Sequence, residues 1–271
     1  MRRSATMALA VSLLAFVFLA GCSKLKARDE LNKGVRAYKA AQYETAIEHF
    51  KRAIELDPQL LNARIYLATA YASQFVPGSP SEENKQLGLS AIREFEKVLE
   101  IDPTNVTALS YIASLYYGLG GSEKSLDGIR KQFDKSKEYR RKLIQLAPND
   151  PEHYYSIGVL DWTLCHRANE EIRREYKVAR PDEPLPARAR RELAEKNAEL
   201  VEEGVQTLEK AVQVQPNYVN AITYLNLMYR QKADIAETPE ERERYLELAD
   251  QMFEKQKRLR EQLEAAPPPA Q

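Results

Sequence analysis

Residues 31–58 read LNKGVRAYKAAQYETAIEHFKRAIELDP. Gly34 and Ala46 are small, Phe50 is large, Ala53 is small again, and Pro58 closes the stretch. Small residues let two antiparallel helices approach, larger ones fill the space beside them, and a proline cannot continue a helix. The closing phrase recurs along the chain: AIELDP at 53–58, VLEIDP at 98–103, LIQLAP at 143–148 and AVQVQP at 211–216. The prolines at 58, 103, 148 and 216 are 45, 45 and 68 residues apart. A fixed phrase at long spacing is the mark of a repeat architecture.

The pattern Gly34, Ala46, Phe50, Ala53, Pro58 resembles the tetratricopeptide repeat. Later copies are looser. Ala68, Tyr71, Ala91, Phe95, Val98 and Pro103 mark the second, and Ala113, Tyr116, Ser136, Leu143 and Pro148 the third. Gly158, Gly204, Leu208, Ala211 and Pro216 mark the fourth, and Tyr229, Ala249 and Phe253 the fifth. Arg140, Asp161 and Asn226 depart from the pattern. Each first-helix small residue, or Asn226 in its place, stands ten positions past the preceding proline. The resemblance spans residues 27–264 and implies an all-α, right-handed α-solenoid. One such hairpin cannot bury its apolar stripe alone, so stacking supplies the core. The hairpins are expected at about 29–58, 61–103, 104–148, 151–216 and 217–264, within a repeat domain at 29–264.

The two small residues of a repeat are 12 apart in the first copy, 23 in the second, third and fifth, and 46 in the fourth. Eleven extra residues make about three helical turns, which both helices of a hairpin can share. VPGSPS at 76–81 and GLGGS at 118–122 read as turns. Thr238-Pro239-Glu240-Glu241 reads as a helix cap. In the fourth copy a helix from Glu152 to about Ala179, a break at RPDEPLPA (180–187), and a helix to about Val214 predict one long projecting hairpin.

The first 21 residues differ in kind. Arg2 and Arg3 precede a run without charge from Ser4 to Ser23. That is the layout of a secretory signal, with an uncleaved membrane anchor as the alternative. Leu19-Ala20-Gly21-Cys22 resembles the lipobox of bacterial lipoproteins. The resemblance implies a signal peptide at 1–21, cleavage before Cys22, and lipidation of Cys22 with palmitate-type chains. Two or more chains make anchoring stable where one is marginal. Ser23 in place of Asp favours the outer membrane over the inner by the same resemblance. Residues 22–28 then form a short basic tether, and 265–271 a frayed tail.

Composition narrows the function. The chain has 271 residues with 40 basic and 40 acidic side chains, so no general nucleic-acid binder is expected. No phosphate loop, Gly-rich nucleotide fingerprint or HExxH is present. His49, His153 and His166 do not pair at metal spacing, and Cys165-His166 lacks the preceding cysteine of a haem-attachment motif. No enzyme, cofactor or metal is expected, an enzyme or metal/redox site near Cys165-His166 being the minor alternative. Cys165 is expected to be buried, with a partner site as the alternative.

The resemblance implies that first helices line a concave groove, at sites three before, one after and four after each small residue. The candidate partner-binding residues are Tyr38, Ile65, Ser114, Tyr117, Tyr155, Trp162 and Leu227. Of the fifteen sites so placed, one is charged, Arg230. The expected function is a membrane-anchored, periplasm-facing scaffold whose groove holds an apolar or amphipathic segment of a protein partner. An outer-membrane or pilus assembly factor is the alternative. Tyr155 and Trp162 have a second reading, as core.

Overall fold

The computed structural model describes residues 23–265, and all regular structure among them is helical. The lipobox, Cys22 and the tail at 266–271 lie outside the described residues. The helices are α1 (23–39), α2 (Tyr43–Leu56), α3 (Leu61–Ala72), α4 (Glu82–Ile101), α5 (Val106–Ser122), α6 (Leu126–Leu146), α7 (Pro151–Glu175), α8 (Ala187–Val214), α9 (Val219–Ile235) and α10 (Pro239–Ala265). Among the described residues no helix is long and apolar enough to cross a membrane. The chain divides into two compact units, one ending at Ser122 and the other starting at Glu123. The boundary falls inside the hairpin expected at 104–148.

In the first unit, packing follows the repeat. Phe50 is fully buried, and a β-carbon at Gly34 would stand 2.5 Å from its ring. On its other side Phe50 stacks on Tyr66 of α3, with ring centroids 5.5 Å apart. Phe95 stacks likewise on Tyr111 of α5, at 4.8 Å. Each aromatic therefore closes one hairpin and floors the next. Such pairs add about 0.5–1.5 kcal/mol beyond the area they bury.

Two expectations change here. Residues 23–28 are helical and continuous with α1, and Ala27 is fully buried. The basic segment expected as a tether is thus the first turn and a half of the domain, because Ala27 continues its apolar stripe. The glycines at 118–121 do not make a turn but lie within α5. A β-carbon at Gly118 would stand 2.6 Å from Phe75, and one at Gly121 3.5 Å from the Gly78 backbone. These glycines admit the 73–81 loop against the helix. Asn84 organises that loop, accepting from the Val76 N–H (2.7 Å) and donating to the carbonyls of Val76 and Ser79. In the second hairpin the added length goes to α4 and this loop, while α3 keeps 12 residues.

In the second unit, α7 packs on α6, α8 and α9, and α10 on α9. Three of its helix starts carry side-chain caps, of which the one at Thr238 is the cap read from the sequence, while α8 and α9 start without one. Ser125 accepts from the Gly128 N–H, Asp150 from Glu152, and Thr238 from Glu241, whose carboxylate accepts in return from Thr238. The long hairpin is α7–α8, broken at 176–186. Its far end has its own apolar cluster of Ala168, Ile172, Val178, Leu185, Ala189 and Leu193, with Leu126 and Ile235 packed against it. The hairpin tip therefore leans on the start of α6 and the end of α9.

Polar side chains replace apolar packing where α6, α7 and α8 meet. Asp161 is fully buried, and Lys137 is 4% exposed and donates to it at 2.7 Å. Lys137 also donates to Glu203 of α8 at 3.0 Å, and Arg141 pairs with the same carboxylate. Burial pushes the Asp161 carboxyl up to about 7 against the pull of Lys137. Burial works against the Lys137 ammonium too, yet Asp161 and Glu203 hold it above its usual range. Asp161, a departure from the repeat pattern, is therefore the centre of a buried pair. Breaking such a pair from one side costs about 3–5 kcal/mol, because a buried charge is left alone. Lys137→Met should lower the unfolding free energy by about 3 kcal/mol at pH 8 in urea titrations. The loss should shrink toward pH 5. There a carboxyl with a raised native pKa takes up a proton in the folded state, and stability falls as pH rises through that range. Adding Asp161→Leu should recover most of the loss.

Candidate functional site

The candidate site forms where α7 and α9 lie side by side in the second unit. Along α7, Trp162, His166, Asn169 and Arg173 recur at spacings of four, three and four, so they share one face. Along α9, Leu227, Arg230, Gln231 and Asp234, spaced by three, one and three, likewise share one face. The two faces border an open cleft of about 680 Å³, with Val178, Ala179 and Pro181 of the hairpin tip also in its lining.

Its apolar end is aromatic. Trp162 stacks on His166 with centroids 4.9 Å apart and an interplanar angle of 9°, and meets Tyr224 edge-on at 5.2 Å. Trp162 stays half-buried, with Leu227 opposite. The polar wall is cross-braced. Asn169 Nδ2 donates to Gln231 Oε1 (3.0 Å) and Asp234 Oδ2 (2.7 Å). Arg173 donates to Asn169 Oδ1, to Asp234 (2.9 Å), and to the carbonyls of Arg180 and Glu183. Its guanidinium thus ties the hairpin tip to α9. Arg174 and Lys177 are exposed residues of the lining, and Arg230 pairs with Asp250 of α10 at 2.7 Å. The site is a braced apolar slot with cations at its rim.

The residues expected to face a groove divide as follows. In the first unit, Tyr38 on α1 is half-buried and its hydroxyl pairs with Ser73 Oγ at 2.8 Å. Ile65 on α3 is half-buried, and Ser114 and Tyr117 on α5 are exposed. In the second unit, Trp162 and Leu227 share the cavity. Tyr155, two turns before Trp162, is half-buried and packs against Tyr218 (5.2 Å) and Tyr224 (5.7 Å). His166, Asn169, Arg173, Gln231 and Asp234 were not among the expected sites. The signal was present: they continue the stripes of Trp162 and Leu227 at the same spacing, into the length added beyond an ordinary repeat.

Cys165 and His166 are neighbours in sequence but not in environment. The Cys165 side chain is fully buried in the main core cluster, and burial pushes its thiol up to about 12. The His166 ring lies on Trp162. The two do not converge on one site. Among the described residues no group of three or more His, Cys, Asp or Glu is placed to hold a metal ion.

Comparison with known proteins agrees with this architecture. The tetratricopeptide-repeat family model matches residues 31–60. No curated protein sequence matches the chain. Among solved structures the chain is similar to a MamA RS-1 ArsTM double mutant, at 17% identity over 89% of this chain and 98% of that one, with a TM-score of 0.56. It is similar to MamA from Desulfovibrio magneticus RS-1, at 17% identity over 88% and 96%, with a TM-score of 0.54. It is also similar to MamA AMB-1, at 14% identity over 90% and 95%, with a TM-score of 0.52. The fold is that of tetratricopeptide-repeat proteins.

Arg173 makes the site's stiffness testable. Arg173→Ala removes four hydrogen bonds and leaves Asp234 and two carbonyls to find water. Amide hydrogen exchange at 176–186 should quicken by at least about tenfold, with about 2–4 kcal/mol lost from global stability. Unchanged exchange there would mean that the tip is held by its apolar cluster alone.

Proposed function

We propose that this protein is an interaction scaffold that holds an apolar or amphipathic segment of a partner protein in the α7–α9 slot. The observation that carries the reading is the convergence of Trp162 and Leu227 on one cavity of about 680 Å³ with a braced polar wall. Rigid aromatic and aliphatic anchors over a few fixed polar groups are what a peptide side chain needs to dock without ordering the site first. The reading contains no catalytic step. Its mechanism is to present a preformed surface to a partner.

The scaffold is further proposed to be a lipoprotein, tethered through Cys22 to the cell envelope, facing the periplasm and favouring the outer membrane. This rests on Leu19-Ala20-Gly21-Cys22 and the uncharged run before it. Confinement to a membrane surface raises the local concentration of scaffold near envelope partners, as linked binding modules do for each other.

A photo-crosslinking residue at Glu170, on the slot's edge, tests the binding reading in cells carrying the full chain. A discrete partner adduct is expected, and Trp162→Ala or Leu227→Asp should reduce it at least about tenfold, as loss of a central anchor does. An adduct indifferent to both substitutions would overturn the assignment of the slot.

The anchor is tested separately, by feeding a palmitate analogue. Label should enter the wild-type chain. Cys22→Ala should abolish it and leave a longer, unprocessed species on gels. Label that persists in Cys22→Ala would refute the lipidation site.

A further inference from the structure

The α7–α9 slot has a neighbour on the other side of α7. His166, Glu170 and Arg174 stand four residues apart and form a ridge that lines both clefts. The second cleft, of about 370 Å³, lies between this ridge and the start of α6, where Lys124 and Leu126 face Arg167 and Glu171 of α7. The two differ in chemistry. The slot offers Trp162, Leu227 and Val178 to an occupant, whereas the second cleft is lined mostly by charged side chains. An apolar hollow and a charged one on either side of a single ridge fit a segment that is itself two-faced.

The charges select the sign of that segment. The whole chain is neutral, with 40 basic and 40 acidic side chains. The two linings are not: together they hold six Lys or Arg side chains against three carboxylates. Arg173 is engaged by Asp234 at 2.9 Å, and Arg230 by Asp250 at 2.7 Å. Lys124, Arg167, Arg174 and Lys177 are exposed, and among the described residues none of them is in an ion pair. Of the carboxylates, Asp234 faces Arg173 and Glu170 lies 3.6 Å from His166, which leaves Glu171. Four unpaired cations therefore surround one unpaired carboxylate, and an acidic occupant complements them. A flat bilayer would meet the exposed cations but would not enter a cleft between two helices, so the slot selects a chain. We propose that the partner segment is acidic and amphipathic, with apolar side chains on Trp162 and Leu227 and carboxylates on Arg174 and Lys177, while Arg167 and Lys124 attract it from across the ridge. This rests on the slot being the docking site, as proposed above. Trp162 and Arg174 are twelve residues apart on α7, about 18 Å along its axis. The segment's apolar anchor and its carboxylates are then separated by about five residues if it lies extended, or about twelve if it is helical.

Charge exchange tests the proposal, on the adduct formed through a photo-crosslinking residue at position 170 in cells carrying the full chain. Digestion and mass spectrometry of the adduct identify the partner segment. It should have a net negative charge and apolar residues at the spacing given above. Arg174→Glu together with Lys177→Glu should reduce the adduct at least about tenfold. Both side chains are exposed and unpaired, so the fold should stand, with helix content checked by circular dichroism. Changing the segment's carboxylates to lysine in the partner should reduce the adduct equally, and combining the two sets of changes should recover it. The outcomes separate two failures. No adduct, or one indifferent to Trp162→Ala, removes the docking site and the acidic partner with it. An adduct that needs Trp162 but ignores Arg174→Glu with Lys177→Glu, or a crosslinked segment that is neutral or basic, keeps the docking site and overturns the acidic partner alone. Purified chain that binds phosphatidylglycerol vesicles through Arg174 and Lys177, with no protein adduct in cells, would make this surface a membrane contact and overturn the proposal as well.

Discussion

An aromatic ring held between two hairpins is the interaction on which the first unit depends. Phe50 occupies the volume that a side chain at Gly34 would need, and its other face is taken by Tyr66. The ring is thus shared, and neither hairpin can bury it alone. That sharing makes the array cooperative between neighbours, since unfolding one hairpin exposes the floor of the next. Phe95 and Tyr111 repeat the arrangement. The glycines of α5 extend the same economy of space to a loop, by letting Phe75 and the Gly78 backbone lie directly on a helix.

The second unit solves the same problem with polar groups. Where α6 would supply an apolar residue at position 140, the sequence has Arg140, and the crossing of α6, α7 and α8 is filled instead by Lys137, Asp161 and Glu203. Further along α7, Asn169 and Arg173 continue the theme against Gln231 and Asp234. A buried ion pair adds little net stability over a well-packed apolar group, but a misregistered one is severely penalised. We read these groups as fixing which turn of α7 sits against α8 and α9, in helices long enough to slip.

What was legible in the sequence was local. The helix ends follow prolines and caps, whose physics acts within a few residues, and α7 and α8 were placed with an error of a few residues at one end. Phe50, Ala46 and Gly34 announce their packing because repetition displays the same choice several times. The glycines at 118–121 misled because a glycine that bends the chain and a glycine that admits a neighbour look alike until the neighbour is known. The triad was invisible for a related reason: residues 137, 161 and 203 come from three helices, Lys137 and Glu203 look like solvated surface charges, and Asp161, though out of pattern, names no partner. Trp162 and Leu227 could be expected to line one cleft because the repeat register survives the insertion to that point. The braced wall beyond them was missed because it lies past the end of an ordinary repeat, where the inherited register has no positions to offer.

Burial of Cys165 has a practical corollary for work on this molecule. Burial holds its thiol well above the usual range, which disfavours the reactive thiolate at neutral pH, and the sulfur has no open approach. A cysteine introduced on the slot rim or on α10 would have an ordinary thiol, and so would react with maleimides and haloacetamides orders of magnitude faster. Distances between pairs of spin labels or fluorophores in the second unit can therefore be measured on the native core, without first engineering Cys165 away.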